Sequence, residues 1–118
     1  MAWHNISFMD ELPIQISPQE LQQRLDGGEP IQLVDVREVW EHEVARIEGA
    51  TLIPLGELPQ RIGELKPDQP MVVYCHHGVR SYQAVLWLRQ QGFEQAQNLA
   101  GGIDHWSQMV DPMVVRYQ

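Results

Sequence analysis

Apolar residues fall in short blocks separated by glycine, proline and polar residues, and the blocks alternate between the period of a strand and that of a helix. Ile31 to Val36 (IQLVDV) is nearly all apolar, the pattern of a strand buried on both faces, and Met71 to Tyr74 (MVVY) repeats it. Thr51 to Ile53, closed by Pro54, and Gln97 to Leu99 predict two shorter strands. Helical signals lie between them. Ser17-Pro18-Gln19-Glu20 combines a capping serine, a proline suited to the first helical position and a capping-box glutamate. Leu21 and Leu25 then share one face, and Gly27 with Gly28 ends the helix. The polar stretch Glu38 to Val44 predicts a brief helix, and Leu55, Leu58, Ile62 and Leu65 recur at helical spacing. Ser81 to Gln91, apolar at its centre (AVLWL), predicts a longer helix stopped by Gly92. Gly101 and Gly102 turn the chain into a last short helix through Trp106. The apolar tail Met113 to Tyr117 has no pattern that assigns its packing.

Strands that alternate with helices predict a three-layer α/β fold, with a central, mainly parallel sheet of four or five strands flanked by helices. The 118 residues suit one domain, 1–118, whose motif-bearing core runs from about residue 14 to about residue 110. An apolar share of 43% and a charged share of 20% are those of an ordinary soluble protein. No apolar run approaches the roughly 18 residues of a spanning helix, so no membrane partner is expected. Met1 to Asp10 lacks a basic leader followed by an apolar stretch, which makes the cytoplasm the expected compartment; a monomer is expected as well. The formal charge of −8 disfavours nucleic acid as a partner, and an anionic small substrate would need a local patch of positive potential. With one cysteine there is no internal disulfide.

That cysteine, Cys75, follows directly on MVVY. Ligands of open α/β sheets bind beyond the carboxyl ends of the strands, which is where Cys75 falls. The loop Cys75-His76-His77-Gly78-Val79-Arg80 leads through Ser81 into a helix whose first amides have no internal partners and favour negative charge. A thiolate there is stabilised, and the thiolate is the nucleophile. Gly78 lets the backbone curl with its amides inward, and Arg80 adds a permanent charge suited to a donor oxyanion.

CHHGVRS after VVY, preceded by LVDVRE and a Gly49-Ala50 pair and followed by LAGGIDHW, resembles the rhodanese family. The resemblance runs from Val34 to Trp106 and is closest to the single-domain, catalytic type. It implies a six-residue active-site loop, Cys75 to Arg80, and a cysteine that cycles between thiolate and persulfide. It also makes Asp35 and Arg37 the family's DxR segment, which organises the active-site side of the sheet. The reaction so implied moves a sulfane sulfur from a donor such as thiosulfate to cyanide, a small thiol or a protein dithiol, with a thioredoxin-like or other sulfur-accepting protein as a candidate partner. Neither a metal nor an organic cofactor is expected, only the covalent persulfide. One departure is Ala45-Arg46-Ile47, where many relatives read Gly-His-Ile.

Plainer readings stand beside these. Adjacent loop histidines such as His76 and His77 are commonly just solvated. Asp35 and Arg37 are expected to form a structural ion pair rather than an acid and base, and Trp40, Trp87 and Trp106 are expected to pack. The rhodanese scaffold can also serve as a non-catalytic binding module. Phosphatases and arsenate reductases place a cysteine and an arginine around an anion loop too, but with five residues between them, whereas Cys75 and Arg80 enclose four.

Overall fold

A computed structural model describes residues 12–118; the leader reading at Met1 to Asp10 lies outside the described residues. Five strands form one parallel sheet in the order β1-β5-β4-β2-β3: β1 (Gln15–Ile16), β2 (Gln32–Asp35), β3 (Thr51–Leu52), β4 (Met71–Tyr74) and β5 (Ala96–Leu99). The helices are α1 (Pro18–Asp26), α2 (Val39–Val44), α3 (Leu58–Arg61), α4 (Val79–Gln90) and α5 (Gly102–Met109). The sheet separates two apolar layers. Val34, Val73, Cys75, Val85 and Leu88 lie in one, and Leu33, Val72, Tyr74, Leu99 and Ile103 in the other. Alternate residues of β2 and β4 therefore face opposite layers, which is why both strands read as unbroken apolar runs.

The predicted α/β architecture with a central parallel sheet is the one found, and β4, which leads directly into Cys75, is the central strand. Ser17 caps α1, its Oγ accepting from the Glu20 amide at 3.1 Å. The helix expected around Leu55 to Leu65 is instead three short turns: a 3-10 turn at Leu55–Glu57, the four-residue α3, and a second 3-10 turn at Ile62–Glu64. Gly56, Pro59 and Gly63 interrupt a helix that its apolar spacing alone would support. The two-residue β1, absent from the sequence reading, adds a parallel edge to β5. No helix among the described residues is long and apolar enough to cross a membrane.

Two glycines fix how the β4 loop meets the rest. Gly78 has φ +98° and caps the start of α4. Gly102, at φ +65°, opens α5, and a Cβ there would lie 2.3 Å from the His76 carbonyl oxygen and 2.6 Å from that of Cys75. The close approach lets α5 receive the loop: Ile103 N–H donates to the Cys75 carbonyl at 2.9 Å and Asp104 N–H to the His76 carbonyl at 3.1 Å. With its carbonyls turned towards α5, the loop leaves its amides free to face the other way. Gly102→Ala is expected to destabilise the protein by about 2–4 kcal/mol, through a left-handed backbone and an overlap with main chain that cannot retreat. Urea unfolding of the variant checks this; a change below about 0.5 kcal/mol would contradict it.

Candidate active site

Cys75 is only 1% exposed, and two backbone donors converge on its sulfur. The amides of Gly78 and Ser81 lie 3.1 and 3.4 Å from Sγ; the Ser81 Oγ lies 3.3 Å away but gives its one proton to Asn98. Both amides belong to the opening of α4, whose unpaired N–H groups carry the positive end of the helix dipole. The site is thus built for negative charge on sulfur. Asn98 on β5 braces it from behind. Its Nδ2 donates to the Gly78 carbonyl and to Gln15 Oε1, each at 3.1 Å, while its Oδ1 accepts from the Ser81 hydroxyl.

Asp35 and Arg37 are both fully buried and form the structural pair expected of them. Arg37 Nε donates to Asp35 Oδ1 at 2.8 Å and Nη2 to Oδ2 at 2.7 Å. Nη2 also donates to the Ala45 carbonyl, and Nη1 donates to the Glu41 carbonyl at 3.2 Å and the Tyr117 hydroxyl at 2.8 Å. Burial opposes the charge on this guanidinium, but bonds to Asp35 and Tyr117 outweigh it and push the group further up. His42 Nδ1 lies 2.9 Å from Asp35 Oδ2, closing the cluster on its outer side.

Arg80 is paired with a carboxylate. Its guanidinium forks onto Glu41, Nη1 to Oε1 at 2.8 Å and Nη2 to Oε2 at 2.9 Å, which pairs its charge and engages two of its five N–H groups. Glu41 is 4% exposed and also accepts from the Glu38 amide at 3.0 Å and the Tyr117 hydroxyl at 2.7 Å. Burial works against its ionisation, yet the Arg80 fork, the Glu38 amide and the Tyr117 hydroxyl prevail and hold the carboxyl down at about 2.

The histidines are not simply solvated. His76 is half-buried, stacked 4.0 Å from the Tyr117 ring at 10° and 3.9 Å from the His77 ring at 28°. Its Nε2 is buried with no hydrogen-bond partner. Burial and the neighbouring His77 push His76 below the ordinary histidine value. His77 and Val79 are exposed at the rim. Trp40, expected to pack, is 55% exposed and meets the Tyr117 ring edge-on at 5.8 Å, whereas Trp106 is buried and Trp87 packs against the core.

The sequence reading named Cys75 to Ser81, which the fold holds in one loop, but did not name Glu41, Asn98 or Tyr117. Each is a polar residue whose partners lie far along the chain: Glu41 to Arg80, Asn98 to Ser81, Tyr117 to Arg37. The only local signal was Glu41 itself, a carboxylate on the short helix after the DxR segment.

A family model described as "Rhodanese-like domain" matches residues 17–109. The chain is similar to a protein named "Sulfurtransferase" from Allochromatium vinosum, 39% identical over 100 residues that cover 85% of this chain and 94% of that one. It is also similar to the "Probable adenylyltransferase/sulfurtransferase MoeZ" of Mycobacterium tuberculosis, 38% identical over 86% of this chain, which spans only 26% of MoeZ. The crystal structure of a rhodanese-related protein from Thermoplasma volcanium superposes with a TM-score of 0.77 at 30% identity, covering 89% of this chain and all of that one.

The Glu41 cluster makes stability depend on acid. Because its carboxyl is held at about 2 in the folded protein against 4.5 when free, it contributes stability above pH 4.5 that is lost as pH falls towards 2. Glu41→Gln is expected to remove about 3 kcal/mol of that pH dependence. Urea unfolding of both proteins between pH 5 and pH 2 measures it, and parallel pH profiles would contradict it.

Proposed function

The chain belongs to the rhodanese-like domain family, and from that premise we propose that it is a sulfurtransferase in which Cys75 carries a sulfane sulfur as a persulfide. The observation that carries this reading is the convergence of the Gly78 and Ser81 amides, both at the opening of α4, on one sulfur atom at 3.1 and 3.4 Å. Such donors stabilise a thiolate before transfer and a charged terminal sulfur after it. An inert core cysteine has no need of them, and a binding module that had lost catalysis would not need the nucleophile.

In the first step the Cys75 thiolate attacks the outer sulfur of a donor. With thiosulfate the new S–S bond forms on Cys75, the old S–S bond breaks, and sulfite leaves with the bonding pair. In the second step an acceptor nucleophile takes the outer sulfur and Cys75 leaves as thiolate; with cyanide the product is thiocyanate. Both steps are exchanges at sulfur within this loop, so neither a metal nor an organic cofactor takes part. Relatives named as sulfurtransferases support sulfur transfer as the general activity. MoeZ, of which this chain matches about a quarter, joins a sulfurtransferase name to an adenylyltransferase one, which favours a sulfur-accepting protein among the partners of this chain.

Cys75→Ser tests the assignment. The variant is expected to keep its far-UV circular dichroism and lose thiocyanate formation by roughly 10³-fold or more, since no second thiol can substitute. A variant that still forms thiocyanate from thiosulfate and cyanide near the wild-type rate would remove Cys75 as the nucleophile.

A further inference from the structure

We propose that Glu41 is a specificity-determining residue: by holding the Arg80 fork it turns the site away from dianionic donors such as thiosulfate and towards organic hydropersulfides, R–S–SH. This rests on the sulfurtransferase reading above and adds the class of donor to it. Charge is the basis of the discrimination. A thiolate and thiosulfate bring three negative charges into one loop, and Cys75–S–S⁻ and sulfite still share three when they part. A thiolate and R–S–SH bring one: the thiolate attacks the outer sulfur, the S–S bond breaks, RS⁻ leaves, and Cys75–S–SH keeps the proton. The first reaction needs a free cation at the loop, and the second does not.

Among the described residues, the loop's one permanent cation is Arg80, and its charge is already paired with Glu41 through one N–H of each terminal nitrogen. Turning Arg80 onto a donor would leave a 4%-exposed carboxylate with only the Glu38 amide and the Tyr117 hydroxyl. Removing the counter-charge of a buried ion is strongly unfavourable, so the fork stays where it is. The other cations nearby are committed as well. Arg37 is sealed against Asp35, Arg116 pairs with Asp104 at 2.9 Å, and the His76 ring is stacked under Tyr117, where burial disfavours its charged form. The net charge of −8 surrounds all of this with a field that repels anions.

The space beside the loop fits the same class of donor. An open cleft of about 410 Å³ borders Gly78 and is lined by Gln15, His77, Val79, Tyr82, Gln83 and Asn98. It offers amides, an aromatic ring and an apolar edge. Such a lining suits an uncharged organic substituent on sulfur and offers no permanent cation to a sulfonate-like head.

The test compares kcat/KM for thiosulfate with that for the hydropersulfide of 2-mercaptoethanol, with persulfide on Cys75 followed by mass spectrometry. In the wild-type protein added salt should leave thiosulfate use flat or raise it, because screening relieves repulsion. Glu41→Gln, which frees the Arg80 charge, should raise the thiosulfate-to-hydropersulfide ratio about tenfold and make thiosulfate use fall with salt. The gain should vanish in Glu41→Gln/Arg80→Ala. Wild-type thiosulfate use that falls with salt overturns the proposal without any variant. So does a ratio unmoved by Glu41→Gln, or a gain that survives loss of Arg80. If both donors load Cys75 and the ratio does not move, the sulfurtransferase reading stands and this one fails; if neither loads it, both fail.

Discussion

Arg37 has no access to water, so each of its five N–H groups must be met inside the protein, and each is. Two go to the Asp35 carboxylate at the end of β2. The others go to the Glu41 and Ala45 carbonyls of α2 and its exit, and to Tyr117 of the tail. A buried charge left short of partners would be costly enough to unfold a domain of this size, so these segments are constrained to meet around one guanidinium. The arrangement sets where α2 sits, and α2 carries Glu41. Glu41 then reaches across to Arg80 at the start of α4, the helix whose amides hold the Cys75 sulfur. Tyr117 completes the chain of contacts by bonding Arg37 and Glu41 while its ring covers His76.

A second constraint works from the opposite side of the loop. Gly102 lets α5 approach until its amides take the Cys75 and His76 carbonyls, and Asn98 pins the Gly78 carbonyl and the Ser81 hydroxyl. The loop is therefore held by its carbonyls and side chains, which leaves its amides available to the sulfur. That division of labour lets a cysteine be almost wholly covered and still be met by backbone donors: the segment that covers Cys75 is the one whose amides point at its sulfur.

Much of this was legible in the sequence because it is written locally. A buried strand running into Cys75, a glycine loop and a helix start are contiguous, and the DxR pair lies two residues apart on one strand end. What was not legible depends on distance along the chain. Glu41 and Arg80 are separated by 39 positions and Tyr117 and Arg37 by 80, and no spacing rule joins residues so far apart. Arg80 illustrates the consequence. Its position at a helix start implied an anion nearby, and there is one, but it is the carboxylate of Glu41 rather than a substrate. The tail was unreadable for a related reason: Val114 and Tyr117 pack inward while Met113 and Val115 point to solvent, too few residues to establish a period. The two-residue β1 is likewise too short to leave a pattern of its own.

The central claim is that sulfur resides covalently on Cys75 between two half-reactions. Mass spectrometry of the intact protein after exposure to a sulfane-sulfur donor and removal of excess tests it most directly, with the peptide that contains Cys75 sequenced. The account predicts a gain of one sulfur atom located on Cys75, lost on addition of cyanide as an equivalent amount of thiocyanate appears. A protein that turns over donor and acceptor while Cys75 never gains sulfur, or that gains sulfur elsewhere, would contradict it.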